Sequence, residues 1–147
     1  MPQLLLGTVD VPGQWDVTLQ VELRGPATAV EGPRTARQKA VPTPGPNIIF
    51  RRGAAPRPTP QQCAQDLLEQ LAQSLPGLKA QPVETVRFAD GTDGATVQLS
   101  FDAAHLTVHQ KHVFRVDGGS LTHGCASAPD PRALANVVGI LLSFRPS

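Results

Sequence analysis

From Val17 to Leu23 the apolar residues Val17, Leu19, Val21 and Leu23 alternate with Thr18, Gln20 and Glu22. A period of two over this length predicts a strand, apolar on one side and neutral polar on the other. Leu4, Leu6, Val9 and Val11 read as an earlier strand that ends at Pro12-Gly13, with Trp15 between the two. From Gly25 to Pro46 the pattern disappears. Prolines 26, 33, 42, 44 and 46 interrupt it, and no apolar period replaces it, so a long loop is predicted. Asn47-Ile48-Ile49-Phe50 then reads as a short apolar strand, and Gly53 to Pro58 as a connection.

The period changes after Thr59. Thr59 can cap a helix, Pro60 suits the first helical position, and Gln62 completes a capping box. Cys63, Leu67, Leu71 and Leu75 recur every four residues, joined by Ala64 and Leu68, which gives one apolar stripe for packing on a sheet. Pro76-Gly77 stops the helix. Val83, Val86 and Phe88 mark a further strand, turned by Asp90-Gly91-Thr92-Asp93-Gly94.

The last third of the chain is the most regular. Strand Ala95–Asp102 places Val97, Leu99 and Phe101 on one side and Thr96, Gln98 and Ser100 on the other. Strand His105–Asp117 has mostly apolar even positions, while its odd positions carry His105, Thr107, His109, Lys111 and Arg115. Asp117-Gly118-Gly119 turns the chain into a third strand, Ser120 to Ala128. Asp130 caps a final helix that Pro131 starts, with an apolar stripe at Leu134, Val137, Val138, Leu141 and Leu142. These elements predict one α+β domain over residues 1–147. An antiparallel sheet of about six or seven strands carries two helices packed on one face. The other face is expected to be open and lined by Thr, Gln, Ser, His and Lys.

Composition narrows the function classes. Thirteen basic and 12 acidic side chains give a net charge of +1, so no global field recruits nucleic acid or membrane. Charged residues make up only 17%, below the roughly 25% usual in soluble domains, so much of the surface is neutral polar or apolar. No basic residue precedes Leu4-Leu5-Leu6, and Asp10 and Pro12 follow too soon for a signal peptide. No stretch approaches the ~20 apolar residues of a membrane span. Cys63 and Cys125 are expected as free thiols in a reducing cytoplasm.

Few residues carry candidate chemistry. His105, His109 and His112 have a metal-like spacing only on a helix. On the strand that Thr107, Val108, Val113 and Phe114 indicate, positions four apart lie roughly 13 Å apart and His112 faces the other way. If Gly118-Gly119 forms the turn, His112 lies opposite Cys125; if Asp117-Gly118 does, it meets His123. Either register puts His112, His123 and Cys125 on one face, beside Phe114, Val116 and Leu121, which marks that side as core. Arg24, Arg34, Arg37, Lys39, Arg51, Arg52 and Arg57 cluster around the proline-rich loop but include no aromatic for base stacking. Asp90, Asp93 and Asp102 lack a calcium-loop spacing, and every glycine near them serves a hairpin. No cofactor and no metal site is expected.

Several short pieces resemble a known family. Leu5-Leu6-Gly7 runs into Val11-Pro12-Gly13-Gln14-Trp15, then comes a strand, then Asn47-Ile48-Ile49-Phe50-Arg51. A helix ends at Leu75-Pro76-Gly77, and His109-Gln110-Lys111-His112-Val113-Phe114 leads into a glycine hairpin and a terminal helix. Over nearly the whole chain this order resembles the DcrB-related group of the Mog1/PsbP-like fold, and within it the Eag-type chaperones of type VI secretion. The resemblance implies a cytoplasmic, non-enzymatic bacterial protein, usually a homodimer. Its partner would be a secreted effector, whose hydrophobic N-terminal transmembrane segments it cradles for loading onto the secretion spike. Such segments expose apolar surface to water at about 25 cal/mol per Å², and a concave sheet can cover them.

Under that reading Gln20, Ile48, Phe50 and Gln98 are the expected client contacts, with Ile49 taking over if the register flips. The chain departs from the family in its long proline-rich loop, residues 25–46, and in the polarity of its expected open face. Two other functions fit parts of the sequence: a general interaction domain using the basic loop, and a hydrolase using Cys125 with His112 or His123.

Overall fold

The computed structural model describes residues 19–24, 46–103 and 105–146. The expected strand at Leu4–Val11, Trp15 and the proline-rich loop lie outside the described residues. The elements in chain order are β1 (Leu19–Arg24), β2 (Asn47–Ala54), α1 (Pro60–Ser74), β3 (Lys79–Ala80) and β4 (Glu84–Arg87). They continue with β5 (Asp93–Ala103), β6 (Leu106–Asp117), β7 (Ser120–Ala128) and α2 (Pro131–Leu142). All pairings are antiparallel. The sheet runs β1-β2-β7-β6-β5-β3, and β4 also pairs with β5. The α+β class, the antiparallel sheet and the two helices are therefore as the periodicity predicts.

Both helix starts follow their sequence signals. The Thr59 hydroxyl accepts from the Gln62 amide at 3.2 Å, while the Gln62 side chain accepts from the Thr59 amide at 3.3 Å. Asp130 accepts from the Ala133 amide at 2.8 Å. Each cap satisfies amides that the first helical turn leaves without partners. Strand β2 runs further than expected, through Ala54, because its whole length pairs with β7, and Ala55 still donates to the Gly119 carbonyl at 2.9 Å.

The helices do not share a face. Side chains on a strand alternate, so neighbours such as Val113 and Phe114 point to opposite sides of the sheet. Val113 packs with Leu134 and Leu141 of α2, along with Ile48, Phe50, Ala126 and Ala128. Phe114 packs with Cys63 and Ala64 of α1, along with Ala95 and Val97. The expectation of one covered face is corrected: α1 lies across β5 and β6 on one side, α2 across β7 and β6 on the other. The physical reason is unbroken burial at the sheet's centre. Gly94 to Val97 and His112 to Arg115 are each four consecutive buried residues, the pattern of strands covered on both sides. The approach of α2 also needs Gly124, where a Cβ would sit 2.9 Å from the Phe50 ring and 3.0 Å from Leu141.

One buried polar group ties the end of α2 to the sheet. Arg115 is 1% exposed on the α2 face. Its guanidinium donates to Asp117 at 2.7 and 3.0 Å, to Asp90 at 3.0 Å, to Thr92 at 3.1 Å and to the Phe144 carbonyl at 3.1 Å. Its carbon also lies 4.9 Å from the centre of the Phe88 ring. The Arg115 bond holds the Asp90 carboxyl at about 2, well below the ordinary value of 3.8. A carboxyl depressed in the folded state stabilises above its unfolded value, and this contribution disappears as pH falls from about 4 towards 2. Arg115→Met removes the donor of these charged hydrogen bonds and is expected to lower stability by about 2 kcal/mol. Chemical denaturation at pH 7 measures it, and an unchanged midpoint would refute the clamp.

Candidate functional site

The turn between β6 and β7 decides which side chains meet on the α1 face. Gly118 and Gly119 have φ of 55° and 80°, left-handed values that glycine adopts without steric cost and that a two-residue hairpin turn requires. Asp117 therefore pairs with Ser120, and His112 lies opposite Cys125, the first of the two registers read from the sequence. The even positions of β6 and the odd positions of β7 share this face. Gln110, His112 and Phe114 thus stand beside Ser127, Cys125 and His123.

These side chains form one hydrogen-bonded chain. Gln110 donates its amide N–H to the Ser127 hydroxyl at 3.0 Å, which leaves its carbonyl oxygen facing His112 Nε2 at 2.9 Å. That nitrogen must carry the proton, so His112 Nδ1 accepts from His123 Nε2 at 2.7 Å. The rings stack as well: His123 lies 4.6 Å from Phe114 and 5.0 Å from His112, centre to centre. Burial pushes His112 down to about 3, helped by His123 and Arg51, and pushes His123 down to about 4, helped by Arg51. Both imidazoles are neutral near pH 7.

The Cys125 sulfur lies 3.6 Å from His112 Nε2. The contact is there, but its electrostatics oppose a thiolate. Burial raises the thiol to about 11, more than the Ser127 hydroxyl and Arg51 lower it. The nearest nitrogen already bears a proton directed at Gln110. An activated cysteine needs a base or a cation to draw off its proton, and this one has a neutral donor. Among the described residues no group of three His, Cys, Asp or Glu side chains is placed to hold a metal ion. His109 lies on the face opposite His112, as the strand assignment predicts, and His105 sits in the exposed turn before β6.

The four expected client contacts fall in three places. Ile48 and Phe50 are 3% and 8% exposed beneath α2, with the Phe144 ring 5.4 Å from that of Phe50. They belong to the core, a correction that follows from the second covered face. Gln20 lies opposite Arg51 in the ladder between β1 and β2. Gln98 is half-buried in a shallow groove on the α2 face, opposite Lys111. Thr96, expected on an open face, is buried and donates to the His112 carbonyl at 2.8 Å.

Sequence reading missed a different strip. On the α1 face, β2 and β7 carry Ile49 and Ser127, and β6 continues through Gln110 and Val108 to Leu106. Among the described residues the main contacts of α1 are with β5 and β6, so β2 and this part of β7 lie outside its principal footprint. Leu106 is 44% exposed, and Ile49, Val108, Gln110 and Ser127 are half-buried. The signal lies in the mostly apolar even positions of β6, a side that Phe114, Val116 and Leu121 mark as core in the sequence.

No family model matches the sequence, and no curated protein matches it. Solved structures resemble its fold. PA94, a Pseudomonas aeruginosa protein of unknown function, superposes with a TM-score of 0.67 at 16% identity, covering 99% of this chain and 96% of that one. LpqN of Mycobacterium tuberculosis, involved in cell envelope biogenesis, gives 0.47 at 18% identity over 88% of this chain and 82% of that one. The first likeness defines the class: an α+β domain built on one antiparallel sheet. Among the described residues no helix is long and apolar enough to cross a membrane.

The electrostatics of the cluster set two expectations. A histidine whose folded value is lowered leaves the unfolded chain binding more protons, so stability falls as pH drops from about 6.5 towards 4. Denaturation midpoints between pH 7 and pH 4.5 measure the decline, which His112→Gln/His123→Gln should flatten; a wild-type profile level over this range would contradict it. Iodoacetamide at pH 8 should label Cys125 slowly in the native protein and rapidly once unfolded. Fast native labelling would restore the nucleophile reading.

Proposed function

We propose that this protein is a non-enzymatic chaperone or adaptor, related to the Eag-type proteins of type VI secretion, that shields the apolar N-terminal helices of a secreted effector. The observation that carries this reading is the strip on the α1 face, where Leu106, Val108 and Ile49 offer apolar contact beside Gln110 and Ser127. A transmembrane helix satisfies its own backbone, so its cradle needs apolar surface and a few adaptable polar groups, not a free strand edge. Glutamine and serine suit the small polar residues of such helices. Among the described residues the elements from β2 to α2 keep the order on which part of the resemblance rests, which supports the reading without identifying the client. A homodimer in the bacterial cytoplasm belongs to the same proposal.

The test is a tagged pull-down from lysate of the protein's own cells, with mass spectrometry of what co-elutes. A partner with apolar N-terminal helices is expected, lost when those helices are deleted and weakened at least tenfold, about 1.4 kcal/mol, by Leu106→Asp. Phe50→Asp is not a suitable probe, because it would disrupt the core under α2. Capture that survives both the helix deletion and Leu106→Asp would overturn the proposal.

A further inference from the structure

The polar chain on the α1 face contains one contact with room for a single proton. His112 Nδ1 and His123 Nε2 lie 2.7 Å apart, so one of them donates and the other accepts. His112 Nε2 cannot release its hydrogen without loss, because that hydrogen is directed at the Gln110 carbonyl oxygen at 2.9 Å. Gln110 in turn is fixed by its bond to Ser127 at 3.0 Å. The chain therefore accommodates two neutral rings. Two fully protonated rings would set N–H against N–H.

The groups around the rings oppose a positive charge. From β2, Arg51 lies opposite His123 in the ladder, and its charge lowers the proton affinity of both rings. From β7 comes Cys125, whose thiol burial keeps protonated. β5 sets Val97 opposite His112, and α1 brings Cys63 among apolar side chains beside Phe114. Among the described residues no carboxylate acts on either ring. A charge gained here is tolerated only if water reaches it. The path to water is short on β7: His123 and Cys125 are half-buried and lie beside, not on, the strands that carry most of α1. From the other side of the sheet, Val113 and Ala126 join β6 and β7 to the α2 core, which contains neither histidine.

We infer that His112 and His123 form an acid-sensitive latch: protonation breaks the ring-to-ring bond, turns His123 out to water and uncovers Cys125, while the sheet and the α1 core stay folded. In the open state the rings return towards the ordinary value of 6.5, whereas in the closed state burial holds His112 at about 3 and His123 at about 4. Closure is therefore fully favoured above 6.5 and loses that advantage as pH falls towards 4. Within this window each ring that gains a proton on opening raises the open population up to about tenfold per pH unit. Gln110 and Ser127 also belong to the strip on this face, so opening reaches that surface. The latch works whether or not the strip holds a client, so the two proposals fail independently.

The two thiols report on the latch in the full chain, with 4,4′-dithiodipyridine as the probe, a disulfide that labels thiols even in mild acid. Labelling of each cysteine is followed by peptide mass spectrometry at pH 7 and pH 5, relative to the denatured chain at the same pH. Cys125 should label at least about tenfold faster at pH 5 than at pH 7, while Cys63, buried in the α1 core, changes less than about twofold. The folded His112→Gln/His123→Gln variant should lose this acceleration. Equal acceleration of both cysteines would mean global unfolding and would overturn the inference. So would a wild-type Cys125 rate that is level between the two pH values, or undiminished acceleration in the double variant. The wild-type comparison of the two thiols decides the matter even where the variant does not fold.

Discussion

Placing a guanidinium inside a protein is tolerable only when its charge is balanced and its donors are met. Arg115 satisfies this requirement with groups from three separate parts of the chain: the turn before β5, β6 itself, and the segment after α2. Apolar packing of Leu134 and Leu141 on Val113 and Ala126 is non-directional by nature. The Arg115 bonds supply the direction. They fix where the terminal helix ends.

The sequence announced most of the elements, because each carried a local cause. The capping box at Thr59, the Asp130 cap and the glycine pair at 118–119 act over a few residues and can be read from a few residues. The side on which each helix packs is set by long-range partners, and there the reading failed. Thr96 and Arg115 were the source of the error. Both look like outward-facing polar positions, yet Thr96 bonds a neighbouring strand's carbonyl and Arg115 is enclosed by its acids. A polar residue that brings its own partner resembles a surface residue in one dimension. The misplacement of Ile48 and Phe50 followed from it, since an apolar residue on a face judged open is naturally taken for a contact.

The His112 cluster shows the reverse case, in which proximity was legible and chemistry was not. Period two and the turn glycines were enough to bring His112 to Cys125. The protonation states depend on burial and on Gln110, whose orientation is settled by Ser127 across the hairpin. A cysteine and a histidine in contact are therefore compatible with an inert, neutral network that fixes the pairing of β6 with β7. The polar chain also gives this half of the sheet a specificity that aliphatic packing alone would lack.

Strand β6 is the element on which both helices rest, its odd residues under α2 and its even residues under α1. Loss or gain of a single residue within it would turn Arg115 towards the α1 core and Phe114 towards the acids, failing on both sides at once. In evolutionary terms β6 is a frozen ruler. Turns, edge strands and loops of this chain can change length without that penalty, whereas the parity of this strand cannot change.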